Sequence, residues 1–271
     1  MGEARTGEIE LKRAVYGPVP SWRLGRSLGI DLISRSKTCS FDCIYCQLGP
    51  TRHKQIRREE FVPTSRVIEE LDTLPAVEFD YLTFSGMGEP TLASNLEDVI
   101  VEVSSRFSQP IAVLTNSSLL AQPEVRAALS LADVVVAKLD AANGELFRRI
   151  NRPANGIRFE EIIEGLRAFK AEGRSWLAVQ VMFCLDNRGH AAEMASLITS
   201  LGPDEVQLNT PLRPSATPPL SPEEMSQIKQ AFAGVPVAMV YEADKVAVKA
   251  LDAAEAAARR PQGKPPMEEV P

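Results

Sequence analysis

DVVVAKLD, residues 133–140, carries four apolar residues in a row, Val134 to Ala137, with no polar break. A strand with one wet face alternates apolar and polar side chains. A short continuous run suits a strand covered on both faces, as in a parallel sheet. The charges come only at its end. Lys138 and Asp140 are two apart, so both point to one face. Two charges on one face of an apolar strand are costly unless they are paired or line a cavity. That strand end is therefore read as a candidate site, with a structural salt bridge as the competing reading.

The same pattern recurs outward in both directions. SLGIDLI (27–33), DYLTFSG (80–86), PIAVLTN (110–116), WLAVQVMF (176–183) and EVQLNT (205–210) also read as strands. Amphipathic stretches fill the gaps. Val67, Ile68, Leu71 and Leu74 form one apolar face, and Ile162, Ile163, Leu166 and Phe169 another. Ser94 and Glu97 offer a capping box ahead of Val99, Ile100 and Val103. Met194, Leu197, Ile198 and Leu201 are stopped by Gly202. Ser221-Pro222-Glu223-Glu224 starts a further helix with Pro at its first position. Repeated βα units imply right-handed crossovers. The fold class expected is α/β, a partial (β/α)6 TIM-type barrel with parallel strands. A short C-terminal strand, VPVAMVYEA (235–243), and an Ala-rich helix near 244–259 follow it. The pattern alone leaves a flat doubly wound sheet open. Residues 1–13 read as a flexible N-terminus, 14–245 as one core domain, and 246–271 as a C-terminal helix and disordered tail.

Composition narrows the function. The chain has 271 residues, 44% of them hydrophobic, and a net charge of −6 from 30 basic and 36 acidic side chains. That acidic balance argues against a general nucleic-acid binder. The basic run RHKQIRR (52–58) reads as a solvated loop. No apolar run approaches the roughly 18 residues needed to span a membrane, and MGEARTGEIELKR lacks a secretory apolar core. Of four cysteines, three sit together, which is not how a disulfide framework is spread. A reducing cytoplasm is the expected home.

Those three stand in CSFDCIYCQLG (39–49), after the first expected strand. In a parallel α/β fold that is the edge where ligands bind. The spacing C-x3-C-x2-C lets Cys39, Cys43 and Cys46 each reach one iron of a cubane cluster. Zinc normally asks for four ligands, for which His53 is the better fourth. Cys184 ends a distant strand and reads as a core residue. Three protein ligands leave one metal position open to a chelating small molecule.

CSFDCIYC resembles the signature of the radical S-adenosylmethionine (radical SAM) enzymes, C-x3-C-x-aromatic-C. The resemblance implies a [4Fe–4S] cluster on Cys39, Cys43 and Cys46, with S-adenosylmethionine on the remaining iron and Tyr45 near adenine. FSGMGEPTL (84–92) is similar to that family's Gly-Gly-Glu-type motif. It implies cofactor contacts at Gly86, Met87, Gly88 and Glu89. YGPVPSWRLGRSLGIDL (16–32), FRRINRP (147–153) and NTPLRP (209–214) resemble a subgroup related to the wyosine-base synthases of tRNA. The likeness runs over roughly residues 14 to 215. Those synthases carry a second cluster on additional N-terminal cysteines, and none precedes Cys39 here. That departure argues against the same tRNA reaction.

What the resemblance implies chemically is reductive cleavage of S-adenosylmethionine to methionine and a 5′-deoxyadenosyl radical. That radical takes hydrogen from a substrate: an RNA base, a peptide or a small metabolite. A reductant such as flavodoxin or ferredoxin is implied as partner. Strand ends supply further candidates for cofactor binding: Thr115 and Asn116, Lys138 and Asp140, and Gln180, which interrupts an apolar strand. Asn151, Arg152, Asn209 and Arg213 are candidate substrate contacts, because Arg suits bidentate binding of carboxylate or phosphate. The alternative functions are a zinc-binding interaction module on Cys39, Cys43, Cys46 and His53, and an electron-transfer protein.

Overall fold

The computed structural model describes residues 13–33, 36–52, 54–244 and 246–261. Among these the chain forms β1 (Val15–Ser21), β2 (Gly25–Ile30), α1 (Thr64–Asp72), β3 (Tyr81–Phe84), α2 (Leu96–Arg106), β4 (Ile111–Thr115), α3 (Pro123–Leu129), β5 (Val134–Lys138), α4 (Gly144–Asn151), α5 (Phe159–Glu172), β6 (Trp176–Met182), α6 (Ala191–Leu201), β7 (Glu205–Asn209), α7 (Pro222–Gln230), β8 (Val237–Met239) and α8 (Ala253–Arg259). The strands make one eight-stranded sheet in chain order. β1 pairs antiparallel with β2, and every later pairing is parallel. The sheet curls into a half-barrel, a partial TIM-type fold. The six expected strands are β2 to β7, and the expected seventh run joins as parallel β8.

β1 is the addition. Its sequence, VYGPVPS, holds two prolines and a glycine at φ +99°. A proline cannot donate to a ladder, so such a strand belongs at a sheet edge. β1 lies there, with a register shift between Tyr16 and Val19. Helices α3 and α4 were also unexpected. The first is a short segment with Pro123 at its start. The second begins where Leu146 N donates to Asn143 Oδ1 at 2.9 Å.

The expected box at Ser94 does not form. Asn95 takes the N-cap position of α2, and Ser94 N donates instead to Glu59 O at 3.0 Å. The Ser221–Glu224 box does form, with Ser221 Oγ accepting from Glu224 N and Ser221 N donating to Glu224 Oε2. α6 ends at left-handed Gly202, as a glycine there allows. The Ala-rich helix is confined to α8, because Asp252 Oδ1 accepts from Ala254 N and Glu255 N and fixes its start. Of the flexible N-terminus expected at 1–13 and the helix and tail expected at 246–271, residues 1–12 and 262–271 lie outside the described residues.

The two faces of the sheet differ in chemistry. Leu82, Phe84, Val113, Val135, Ala137, Leu177, Val179, Val181, Val206 and Leu208 belong to one core cluster under the helices. Burying each Val, Leu or Phe of this set contributes about 1.5–3 kcal/mol. The opposite parity carries the small or polar Ser27, Gly29, Thr83, Ala112, Ala178, Gln180 and Gln207 beside the larger apolar Leu114, Val136 and Met182. A closed TIM barrel fills that interior with bulky branched side chains. Here much of the inner face carries small or polar side chains instead. α8 covers part of it, packing against β1 where Ala256 meets Tyr16 and Val19.

Candidate active site

The cysteine loop is laid along the turn after β3. Thr38 and Gly88 form a parallel bridge, in which Thr38 N donates to Met87 O at 3.0 Å and Glu89 N to Thr38 O at 3.1 Å. A Cβ on Gly88 would stand 1.6 Å from Thr38 O, so only glycine permits this approach. A Cβ on Gly86 would strike the Asp31 carboxylate at 2.2–2.5 Å. Both glycines thus serve approaches within the chain. Met87 N donates to Asp31 Oδ2 at 3.2 Å.

The loop's other wall is the end of α4. Ile44 N donates to Ile150 O and Asp42 N to Asn151 O, both at 3.0 Å. These are carbonyls that a helix C-terminus leaves without intrahelical partners. Inside the loop, Cys46 N donates to Cys43 O and Gly49 N to Cys46 O, both at 3.0 Å. Tight turns therefore present the thiols while the helix end fixes the loop.

Two sulfurs receive donors. Phe41 N and Asn116 Nδ2 each lie 3.5 Å from Cys39 Sγ, and Asn151 Nδ2 lies 3.4 Å from Cys43 Sγ. Such donors favour a thiolate. Without a metal, burial pushes the Cys39 thiol well up and the Cys43 thiol to about 11. Loading a metal cluster must then release protons. Among the described residues no three His, Cys, Asp or Glu side chains gather around a single ion position. His53, the expected fourth zinc ligand, lies outside the described residues.

The Glu89 carboxylate is buried and hydrogen-bonded within the chain. Its Oε1 accepts from Thr115 Oγ1 at 2.6 Å, Thr91 Oγ1 at 2.7 Å and Thr91 N at 3.2 Å, and its Oε2 accepts from Asn116 N at 2.6 Å. Thr115 is spent on Glu89. Asn116 reaches Ser40 Oγ at 2.8 Å as well as Cys39. The expected cofactor residues Glu89, Thr115 and Asn116 therefore stand together as support for the cysteine loop.

Lys138 and Asp140 do meet the loop. Asp140 Oδ2 accepts from the Tyr45 hydroxyl and from Asn151 Nδ2 at 2.9 Å, while its Oδ1 accepts from Met182 N at 2.8 Å. Lys138 Nζ stands 3.4 Å from Asp140 Oδ1 and 4.9 Å from the Tyr45 ring centroid. Tyr45 is thereby fixed at both hydroxyl and ring. Its burial and the neighbouring carboxylate push its hydroxyl well above the usual tyrosine range. Gln180 lies buried on the inner face, between Lys138 and Gln207 in register.

The expected substrate residues separate. Asn151 is buried against Cys43, Tyr45 and Asp140, because α4 ends beneath the cysteine loop. Arg152 is a left-handed C-cap whose exposed guanidinium lies 3.8 Å from Asp42. Asn209 turns its Oδ1 back to Thr210 N at 2.9 Å. Arg213 donates to Gln47 Oε1 at 3.2 Å, one residue past Cys46.

Sequence reading missed Asp31 and Arg259. Arg259 Nε donates to Asp31 Oδ2 at 2.7 Å, Nη1 donates to Glu255 Oε2 at 2.7 Å, and the guanidinium lies 4.6 Å from the Tyr16 ring. Asp31 carried a signal, a carboxylate inside the apolar run GIDLI. Arg259 carried none.

A model of the Radical SAM superfamily matches residues 33–198, more than half of the chain. A UPF0026 protein of Synechocystis sp. is 44% identical over 202 residues, covering 74% of this chain and 76% of that protein. Streptococcus suis SuiB bound to S-adenosylmethionine is similar in structure at TM-score 0.57 and 14% identity, covering 75% of this chain and 48% of that one. The chain thus spans about half the length of SuiB. Archaeal TYW1 is similar at TM-score 0.55 and 15% identity, over 78% of this chain and 72% of that one. At these identities the structural likeness concerns the fold.

Proposed function

The chain belongs to the radical SAM superfamily and is an enzyme of that family, and from this premise we propose that Cys39, Cys43 and Cys46 hold a [4Fe–4S] cluster that binds S-adenosylmethionine. The observation that carries the proposal is the support given to three free thiols. Asn116 and Asn151 donate to two of them, and the N–H groups of the loop close on α4. Thiolates of this kind are the usual ligands of iron–sulfur clusters. A cubane takes each thiolate on a different iron.

When bound, the cluster and S-adenosylmethionine supply an electron and a 5′-deoxyadenosyl radical for hydrogen abstraction from substrate. The chain's own groups hold the reactants and exclude water. Asp140 and Lys138 orient Tyr45 beside the cofactor. Asp31 holds Met87, and with it the turn expected to face the methionine end. Gln180 offers its amide on the inner face. Residues 14–245 carry this core. Among the described residues no helix is long and apolar enough to cross a membrane. Enzymes of the family draw on a reductant, for which a flavodoxin or ferredoxin is proposed. Free thiols suit a reducing compartment.

The test is chemical analysis after anaerobic reconstitution. Iron and acid-labile sulfide should approach four of each per chain. Cys39→Ala, Cys43→Ala and Cys46→Ala should each lose them, while Cys184→Ala keeps them. The electron paramagnetic resonance signal of the reduced protein should shift on adding S-adenosylmethionine. One zinc per chain without sulfide would overturn the proposal in favour of a structural metal.

A further inference from the structure

Arg23 Nε and Gln207 Oε1 are buried side-chain atoms with no hydrogen-bond partner among the described residues. Buried polar groups are nearly always paired, so an orphan asks what pairs it. The Gln207 amide is not free to turn. Its Nε2 donates to Glu205 Oε1 at 2.7 Å, and turning the amide would set its oxygen against that carboxylate. Glu205 and Gln207 share a face of β7, and Val206 and Leu208 belong to the helix-covered core. An unpaired acceptor therefore faces the inside of the half-barrel.

Arg23 stands in the turn between β1 and β2, yet it senses Glu205 on β7. Strands β3 to β6 lie between them in the sheet, so this influence acts across its concave side. Arg23 also senses Arg213 and Arg260, and Arg213 senses Arg260. Burial and this mutual repulsion push Arg23 down to about 9 and Arg213 to about 10. Like charges gather in a half-buried place at a cost that an anion between them would offset. Arg213 links the cluster to the cysteine loop through Gln47. All this sits in a chain of net charge −6, so the cationic interior opposes the overall field.

We infer that Arg23, Arg213 and the Gln207 carboxamide oxygen form a seat for a small-molecule substrate that carries an oxyanion, phosphate or carboxylate, beside a hydroxyl or amino donor. The guanidinium groups take the oxyanion, as their forked donors suit. Gln207 Oε1 accepts from the neighbouring donor. The inference rests on the radical SAM reading for its chemistry, but the seat itself belongs to the chain. It favours a small anionic metabolite over a peptide or an RNA base as the molecule that meets the radical.

The test is calorimetric titration of the full-length protein at low ionic strength, with pyrophosphate and succinate as probes. One site per chain is expected. Arg23→Gln and Arg213→Gln should each weaken it at least tenfold, and Arg26→Gln, whose side chain is held at the surface by Asp80 and Glu78, should not. Circular dichroism checks that each variant folds, and Arg213→Gln, in a loop, keeps the test alive should Arg23→Gln fail to fold. Tighter pyrophosphate assigns a phosphate substrate, and tighter succinate a carboxylate. Absence of binding, binding equal in all variants, or saturation only by an oligoribonucleotide would overturn the seat. Formation of 5′-deoxyadenosine, measured on the same preparation, separates the two claims. Anion binding without it leaves the seat standing and sinks the radical reading, whereas its formation without anion binding does the reverse.

Discussion

Asp31 and Asp140 occupy similar places and are held in different ways. Each follows a strand of the half-barrel, and each side chain is 1% exposed. Asp31 answers a guanidinium at 2.7 Å, brought by a helix near the C-terminus. Asp140 relies mainly on neutral donors, the Tyr45 hydroxyl, Asn151 Nδ2 and Met182 N, with the Lys138 ammonium farther off at 3.4 Å. The first ties the turn at Met87 to α8, and the second ties the cysteine loop to β5, α4 and β6. A buried ion pair costs desolvation that only good geometry offsets, and loss of one partner strands the other charge. A carboxylate among neutral donors depends on no single one of them. Asp31 also accepts from Ile33 N at 3.0 Å and Met87 N at 3.2 Å, so one side of the site joins a single buried charge pair to two backbone donors, and the other is a network of mostly neutral donors.

The largest effect should follow Arg259→Ala. It strands the Asp31 carboxylate and should cost about 3–5 kcal/mol in denaturant unfolding. The double variant Asp31→Leu with Arg259→Met should recover most of that loss. Additive losses in the double variant would break the comparison. Asp140→Ala comes next. It strands Tyr45 and Asn151 and should cost about 1–3 kcal/mol, with weaker S-adenosylmethionine binding but unchanged iron content. Unchanged binding there would remove Asp140 from the cofactor site.

The alkaline response sharpens the same contrast. Cys184 N donates to Asn187 Oδ1 at 2.8 Å, and Asn187 Nδ2 donates to the Asp140 carbonyl at 3.0 Å. Burial chiefly pushes the Cys184 thiol up from 9.0 to about 11. A raised thiol binds its proton more tightly in the folded chain, so its stabilisation is complete below pH 9 and is lost as pH rises towards 11. Apo-protein stability should fall by roughly 2 kcal/mol from this group over that window. Cys184→Ala should flatten that part of the slope, and an unchanged slope would assign it elsewhere. The smallest effect belongs to Lys138→Ala, expected within about 1 kcal/mol. A loss as large as that of Arg259→Ala would mean that Asp140 is charge-paired after all.

Much of this was legible because the helix-covered strands announce themselves. Val134 to Ala137 has no polar break, so β5 reads directly, and Lys138 with Asp140 marks the end that meets the cysteine loop. The same reasoning applied to Asp31 in GIDLI would have marked the other end of the site. Its partner is 228 residues away in an Ala-rich helix, and no local pattern announces such a pairing. β1 hid behind its prolines, which edge pairing tolerates. α4 hid because its purpose is tertiary, its last carbonyls receiving the cysteine loop. Glu89 was legible as a site candidate, but the four hydrogen bonds that fix its carboxylate to Thr91, Thr115 and Asn116 were not.

The most direct test of the account is anaerobic. The full-length protein would be reconstituted with iron and sulfide, reduced with dithionite and supplied with S-adenosylmethionine, with 5′-deoxyadenosine as the product assayed. The account predicts that wild type forms it and that Cys43→Ala does not. Failure of a wild type carrying its full iron and sulfide, or equal formation by Cys43→Ala, would contradict it.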